Sequence, residues 1–244
     1  MRNLRLDLCY DGTRYKGWQR LANTDNTIQA KIEATLSRIL GEQVEVIGSG
    51  RTDAGTHAKL QIVNVHCQSS MSCDEILTQL RRYLPEDIGV YSCRNVSERF
   101  HARLNAKTKT YQYHLWNSGS PCVFARKYVH IDPRPLDLPS MVQAAAYFEG
   151  QHDFSAFCAN RNIKKSTVRY IEHFKIRQEG ADIYFEVCGN GFLHHMVRIM
   201  VGTLLEVGRG ERLADSIPLL FGAARAEAGE LVPACGLTLM EVSY

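Results

Sequence analysis

Apolar and polar side chains alternate through residues 3–10, NLRLDLCY, and a period of two predicts a β-strand. In residues 26–40 the period changes. Ile28, Ile32, Leu36, Ile39 and Leu40 share one helical stripe, Asn26 or Thr27 can cap its start, and Gly41 follows its end. Residues 43–48 and 59–67 again read as strands, on either side of a glycine-rich stretch. Residues 72–83 read as a helix that opens with Ser72 and Glu75 at capping-box spacing and carries Ile76, Leu77 and Leu80. Residues 88–96 close the series as a strand, so the order is β-α-β-β-α-β.

A similar order follows. Residues 109–116, KTYQYHLW, alternate as a strand, and the Pro-rich bridge 132–139 leads into a helix over about 138–149. Strands at 168–177 and 182–188 flank a turn at Glu179–Gly180. A helix spans 191–207, a second helical stretch about 211–221, and a strand ends the series at 236–242. The pattern predicts an α+β protein of two similar halves, 1–105 and 106–244, each a ferredoxin- or RRM-like β-α-β-β-α-β unit with an antiparallel sheet. Repetition at this scale is a matter of pattern, because no residue-level identity links the halves. Two such sheets joined side by side leave a central cleft, a common place for a ligand.

Composition narrows the classes. The 244 residues carry 29 Lys and Arg against 26 Asp and Glu, a net charge of +3. So weak a charge says nothing by itself about nucleic acid; local clusters have to. Eight cysteines without a CxxC pair argue against a zinc knuckle or a thioredoxin-type site. The N-terminus, MRNLRLDLCYDG, has no apolar signal region, so the expectation is reduced thiols in a cytoplasmic protein. The most apolar stretch, 192–207, is interrupted by His194, His195 and Arg198 and is too short to span a bilayer.

The candidate chemistry starts at GSGRTDAGTH, residues 48–57. Gly50 and Gly55 have P-loop spacing, but Thr56 stands where the lysine belongs, and no glycine completes a dinucleotide fingerprint at 53. An Asp there would repel phosphate. One reading is that the loop presents the Asp53 carboxylate to a substrate with Arg51 close by; the other is a tight turn in which Asp53 bonds local amides. Arg198, on an apolar helix, needs a carboxylate partner if it is buried, and Asp53 is a candidate; otherwise it reaches solvent from the helix edge. His194 and His195, adjacent on a helix, would point about 100° apart, a poor metal chelate. Asp153, in QHDFSAFC (151–158), is a rival carboxylate, but that segment reads as a structural turn packed by Phe154 and Phe157.

Two basic runs add a substrate class. RFHARLNAKTKTYQY, 99–113, interleaves Arg99, His101, Arg103, Lys107 and Lys109 with Phe100, Tyr111 and Tyr113, and RNIKKSTVR, 161–169, adds Arg161, Lys164, Lys165 and Arg169. Cations for phosphates and rings for unpaired bases suit RNA. Solvated strand edges are the plainer alternative.

GRTDAGTHA, FHARLNAKTKTYQY, HDFSAF, FLHHMVRIMVGTLLEVGRG and PACGLTL, in this order, resemble the TruA-type tRNA pseudouridine synthases. The likeness runs from about residue 4 to 242. Thr56, where Val is usual, and Ile199, where Asn is usual, depart from the pattern. The resemblance implies two similar α/β domains, a homodimer and a basic cleft for tRNA. It implies isomerisation of uridine to pseudouridine at positions 38, 39 and 40 of the anticodon arm, with no metal and no organic cofactor. It makes Asp53 the essential carboxylate, Tyr111 the ring against the target base, Arg51 an aid to extruding the nucleotide, Arg198 the partner of Asp53, and Leu237 part of the pocket lining. Lys107, Lys109, Lys164 and Lys165 are then the expected contacts to the RNA backbone. Two other classes stay in view: a non-catalytic RNA-binding protein on the same scaffold, and a hydrolase of free nucleosides that uses the same carboxylate.

Overall fold

Leu4, Leu6, Leu8 and Tyr10 fall on one face of the first alternating segment, and all four are buried. The structure, a computed structural model, describes residues 1–160 and 165–244. In chain order its elements are β1 (Arg2–Tyr10), α1 (Ile28–Leu40), β2 (Val46–Gly48), β3 (His57–Cys67), α2 (Cys73–Tyr83), β4 (Ile88–Val96), β5 (Lys109–Trp116), β6 (His130–Ile131), α3 (Leu138–Ala146), β7 (Gly150–Asp153), β8 (Val168–Glu179), β9 (Asp182–Gly189), α4 (Met196–Gly208) and β10 (Leu237–Val242). Short 3-10 turns lie at Ser155–Phe157, Ala214–Leu220, Arg225–Glu227 and Ala234–Gly236. The protein is of mixed α+β class.

The chain forms two compact units, Met1–Lys107 with Thr238–Tyr244, and Thr108–Leu237. The expected boundary at 105/106 thus differs by two residues. Residues 238–244, expected in the second half, belong with the first, because β10 pairs in parallel with β3 (Thr238 opposite His57, Leu239 opposite Ala58).

In the first unit β1 lies between β4 and β3, antiparallel to both, and β2 pairs antiparallel with β3. The apolar stripe of α1 buries Ile28, Ile32 and Leu36. Thr27, one of the two caps the sequence offers, caps this helix by accepting from the Ala30 N–H, and the helix starts at Ile28, the first residue of the stripe. The Ser72–Glu75 capping box opens α2, which buries Ile76 and Leu80.

In the second unit β9 lies between β5 and β8, antiparallel to both; β7 extends the β8 edge, and β6 runs parallel to β5. Tyr113, Leu115, Ile183 and Phe185 form the buried face of this sheet with Phe148, Phe154 and Phe157. Nearly every residue of α4 is buried, as its all-round apolar composition requires.

Three expectations change. Residues 191–195 were expected to be helical, but His195 takes a left-handed backbone (φ 63°) and α4 begins only at Met196. The stretch expected at 211–221 is a 3-10 helix over Ala214–Leu220, with Pro218 inside it denying an α-helical hydrogen bond. Residues 150–153 form β7 rather than a turn, while the buried Phe154 and Phe157 pack the following 3-10 turn as expected. The eight cysteines form no disulfide. Among the described residues no helix is long and apolar enough to cross a membrane.

Candidate active site

Asp53 opens a tight turn in the first unit. The Thr56 N–H donates to the Asp53 carbonyl at 3.1 Å, and Gly55, at φ 79°, has the backbone that the third residue of a type II turn demands. Asp53 is half-buried and Arg51 is exposed. Between them Thr52 is buried and held twice. Its carbonyl accepts from the Trp18 N–H at 3.0 Å, and its Oγ1 lies 2.8 Å from the Tyr10 hydroxyl. Burial pushes the Tyr10 phenol pKa well above its ordinary value, against the opposing pull of its hydrogen bond to Thr52, so the hydroxyl keeps its proton.

The segment that clamps the turn is itself fixed. The Gly17 and Trp18 carbonyls accept from the Ile28 and Gln29 N–H groups, which satisfies donors that the start of α1 would otherwise leave unpaired. Gly17 has φ 94°, and a Cβ there would stand 2.8 Å from the Thr52 oxygen and 3.1 Å from the Ala54 nitrogen. Only glycine lets the two segments approach so closely. Sequence reading missed this clamp of Tyr10, Gly17 and Trp18; a glycine just before a buried tryptophan was the one local sign of it.

Tyr111, Arg198 and Leu237 belong to the second unit. Tyr111 is buried on β5, its ring edge-on to Phe192 with centroids 5.1 Å apart. Arg198 lies in the first turn of α4, and its Nε donates to the Val232 carbonyl at 2.8 Å. The Tyr113 hydroxyl donates to the next carbonyl, that of Pro233, at 2.9 Å. These two bonds anchor the segment that leads through the 3-10 turn to Leu237, which is buried at the start of β10. His194 and His195 precede the helix and do not diverge along it; their ring centroids are 3.7 Å apart.

The lysines are spread over both units. Lys107 is exposed, and its backbone N–H donates to the Ser243 carbonyl. Lys109 is half-buried at the start of β5, and Lys165 is exposed ahead of β8. Lys164, with Arg161, lies outside the described residues. Within the basic runs some groups are engaged locally. Arg169 donates to the Ser166 and Val168 carbonyls, and Phe100 packs against Tyr244 with ring centroids 5.1 Å apart. Residues 97–108 are turns and irregular chain, outside any strand.

Comparison with known proteins shows the family of the chain. The profile of a family described as tRNA pseudouridine synthase matches residues 9–105 and 144–244. Full-length relatives include the tRNA pseudouridine synthase A of Bacillus sp. (strain KSM-64), 46% identical, and tRNA pseudouridine synthase A 1 of Clostridium tetani (strain Massachusetts / E88), 45% identical, each alignment covering 100% of both chains. Among solved structures, a chain of a Cbf5-Nop10-Gar1 complex aligns with 86% of this chain and 44% of its own length, at 14% identity and a TM-score of 0.39. The chain belongs to the tRNA pseudouridine synthase family, isomerases that convert uridine to pseudouridine.

Proposed function

We propose that this protein isomerises uridine to pseudouridine at positions 38, 39 and 40 in the anticodon arm of tRNA, as a cytoplasmic homodimer that needs neither metal nor organic cofactor. In this reading each half is ferredoxin-like, the two sheets lie side by side, and the tRNA occupies the cleft between them. The observation that carries the proposal is the Asp53 turn, with the buried Thr52 held by Tyr10 and Trp18 directly before the carboxylate.

The chemistry needs one such acid. The N1–C1′ bond breaks, the uracil turns while held, C5 bonds to C1′, and the C5 proton is lost as N1 regains one. Loss of the base builds positive charge on the sugar, which a carboxylate stabilises or captures, as in glycosidases. Two routes are open to Asp53: attack on C1′, or removal of the C2′ proton to form a glycal. No water takes part, since the base itself returns to the sugar.

The other residues serve positioning. Extruding the nucleotide from its stack costs a few kcal/mol, and Arg51, exposed beside the turn, fills the vacated space. Tyr111 holds the detached uracil, a contact of roughly 1–3 kcal/mol. Arg198 pairs with the Asp53 carboxylate, and Leu237 lines the pocket. Lys107, Lys109, Lys164 and Lys165 meet RNA phosphates.

The test is to map pseudouridine in tRNA from cells lacking this protein and to restore either the wild type or Asp53→Asn. Wild type should return the modification at 38–40, and Asp53→Asn should return none while still binding tRNA. Modification restored by Asp53→Asn, or free uracil released from nucleosides by the wild type, would remove the proposal.

A further inference from the structure

Four buried polar side chains lie beneath the Asp53 turn, in a protein whose interior is otherwise mostly apolar. Tyr10 ends β1, Gln61 sits in β3, and Ser49 and Thr52 belong to the loop itself; each is less than a tenth exposed. Gln61 joins them. Its Oε1 accepts from the Ser49 hydroxyl at 2.5 Å, and its Nε2 donates to the Gly50 carbonyl at 2.9 Å. Gln61 also stands near the Tyr10 hydroxyl, which bonds Thr52 Oγ1 at 2.8 Å. Ser49 is held from a further side, its N–H donating to the Ile62 carbonyl at 2.8 Å.

The two ends of this network fall on opposite sides of Arg51. Gly50 precedes it and is held by Gln61. Thr52 follows it and is held by Tyr10. Buried polar groups without partners are costly, so such a network holds one arrangement well and alternatives badly. The strands that supply Tyr10 and Gln61 are paired with each other, Gln61 standing opposite Leu8. They form a rigid base for the loop, which is what a site that must hold reacting groups in place requires.

We propose that Tyr10 and Gln61 are positioning residues for the isomerisation: through Thr52 and Gly50 they set the backbone on both sides of Arg51, and so aim Arg51 and Asp53 at the everted nucleotide. The inference rests on the reading of Asp53 as the essential carboxylate. Neither residue touches the nucleotide. Their effect is on how often Asp53 occupies its working geometry, so they act on turnover and leave tRNA affinity alone.

The experiment compares Tyr10→Phe and Thr52→Val, which each remove one hydroxyl at nearly constant shape, with the double variant, which removes both, and Thr52→Ser, which keeps its own. Turnover is followed by tritium release from tRNA labelled at uridine C5, and tRNA affinity is measured alongside. Tyr10→Phe and Thr52→Val should each lower kcat roughly 10- to 100-fold, the scale of a small misplacement of catalytic groups, with affinity unchanged. The double variant should be no slower than the worse single variant, since both remove one bond, and Thr52→Ser should recover most of the rate. Gln61→Leu should match or exceed the Tyr10→Phe loss. Wild-type kcat in Tyr10→Phe and Thr52→Val, multiplied losses in the double variant, or Thr52→Ser as slow as Thr52→Val would overturn the proposal. Asp53→Asn run in parallel separates the two claims. If it is active, the reading of Asp53 fails and takes this inference with it; if it is inactive while the hydroxyl variants are unimpaired, only this inference fails.

Discussion

Gly17 brings no reactive group to the site, yet the position of the carboxylate depends on it. Its φ of 94° and the 2.8 Å that would separate a Cβ from the Thr52 oxygen leave no room for a side chain. Gly17→Ala is expected to destabilise the protein by about 1–3 kcal/mol and to slow turnover, seen together in urea denaturation and tritium release. Thr56 makes the opposite case. It is buried, and its hydroxyl has no hydrogen-bond partner among the described residues. A buried hydroxyl without a partner costs about 1–3 kcal/mol, so Thr56→Val should raise stability by about 1 kcal/mol. An unfolding midpoint that does not rise would show the hydroxyl to be satisfied in solution. Ile199, the other departure from the family pattern, is fully buried in α4, where an apolar side chain suits its surroundings.

Among the elements, those set by local signals were legible in the sequence, and those set by a partner were not. The limits of β4 and β5 are those read from the sequence, for β5 from alternation, and the start of α2 follows from Ser72 and Glu75. Ser72→Ala should cost about 1 kcal/mol, measurable as a lower thermal midpoint. The strands β6 and β7 have two and four residues and exist because β5 and β8 offer them edges, which no periodicity announces. Directly after β6, Asp132 is buried, accepts from Arg134 Nε and Nη2 at 2.8 and 2.6 Å, and lies 3.7 Å from Arg209 at the end of α4. Burial by itself would raise the pKa of this carboxyl, but the Arg134 hydrogen bonds outweigh it and hold the carboxyl below its ordinary value. An unfolded Asp titrates near 3.9, so this stabilisation is complete above about pH 4 and is lost as pH falls through the lower native value. Acid unfolding below about pH 4 should therefore be less steep in Asp132→Asn than in the wild type.

For the whole molecule, the proposed RNA contacts can be weighed by salt. Each phosphate contact to single-stranded RNA contributes about 0.7 to the slope of log affinity against log salt. Replacing Lys107, Lys109 and Lys165 with Ala should make that slope shallower by about 2, and an unchanged slope would exclude them as phosphate contacts. The sequence by itself determined the periods of its strands and helices, the mixed class, and a bent, glycine-bounded carboxylate at Asp53, because each of these is written within a few neighbouring residues. Tertiary structure alone decided what holds the loop that carries that carboxylate and which unit the last strand joins. Tyr10 and Thr52 are 42 positions apart and β10 meets β3 from the far end of the chain. Contacts at such separation arise from packing and leave no mark on local spacing.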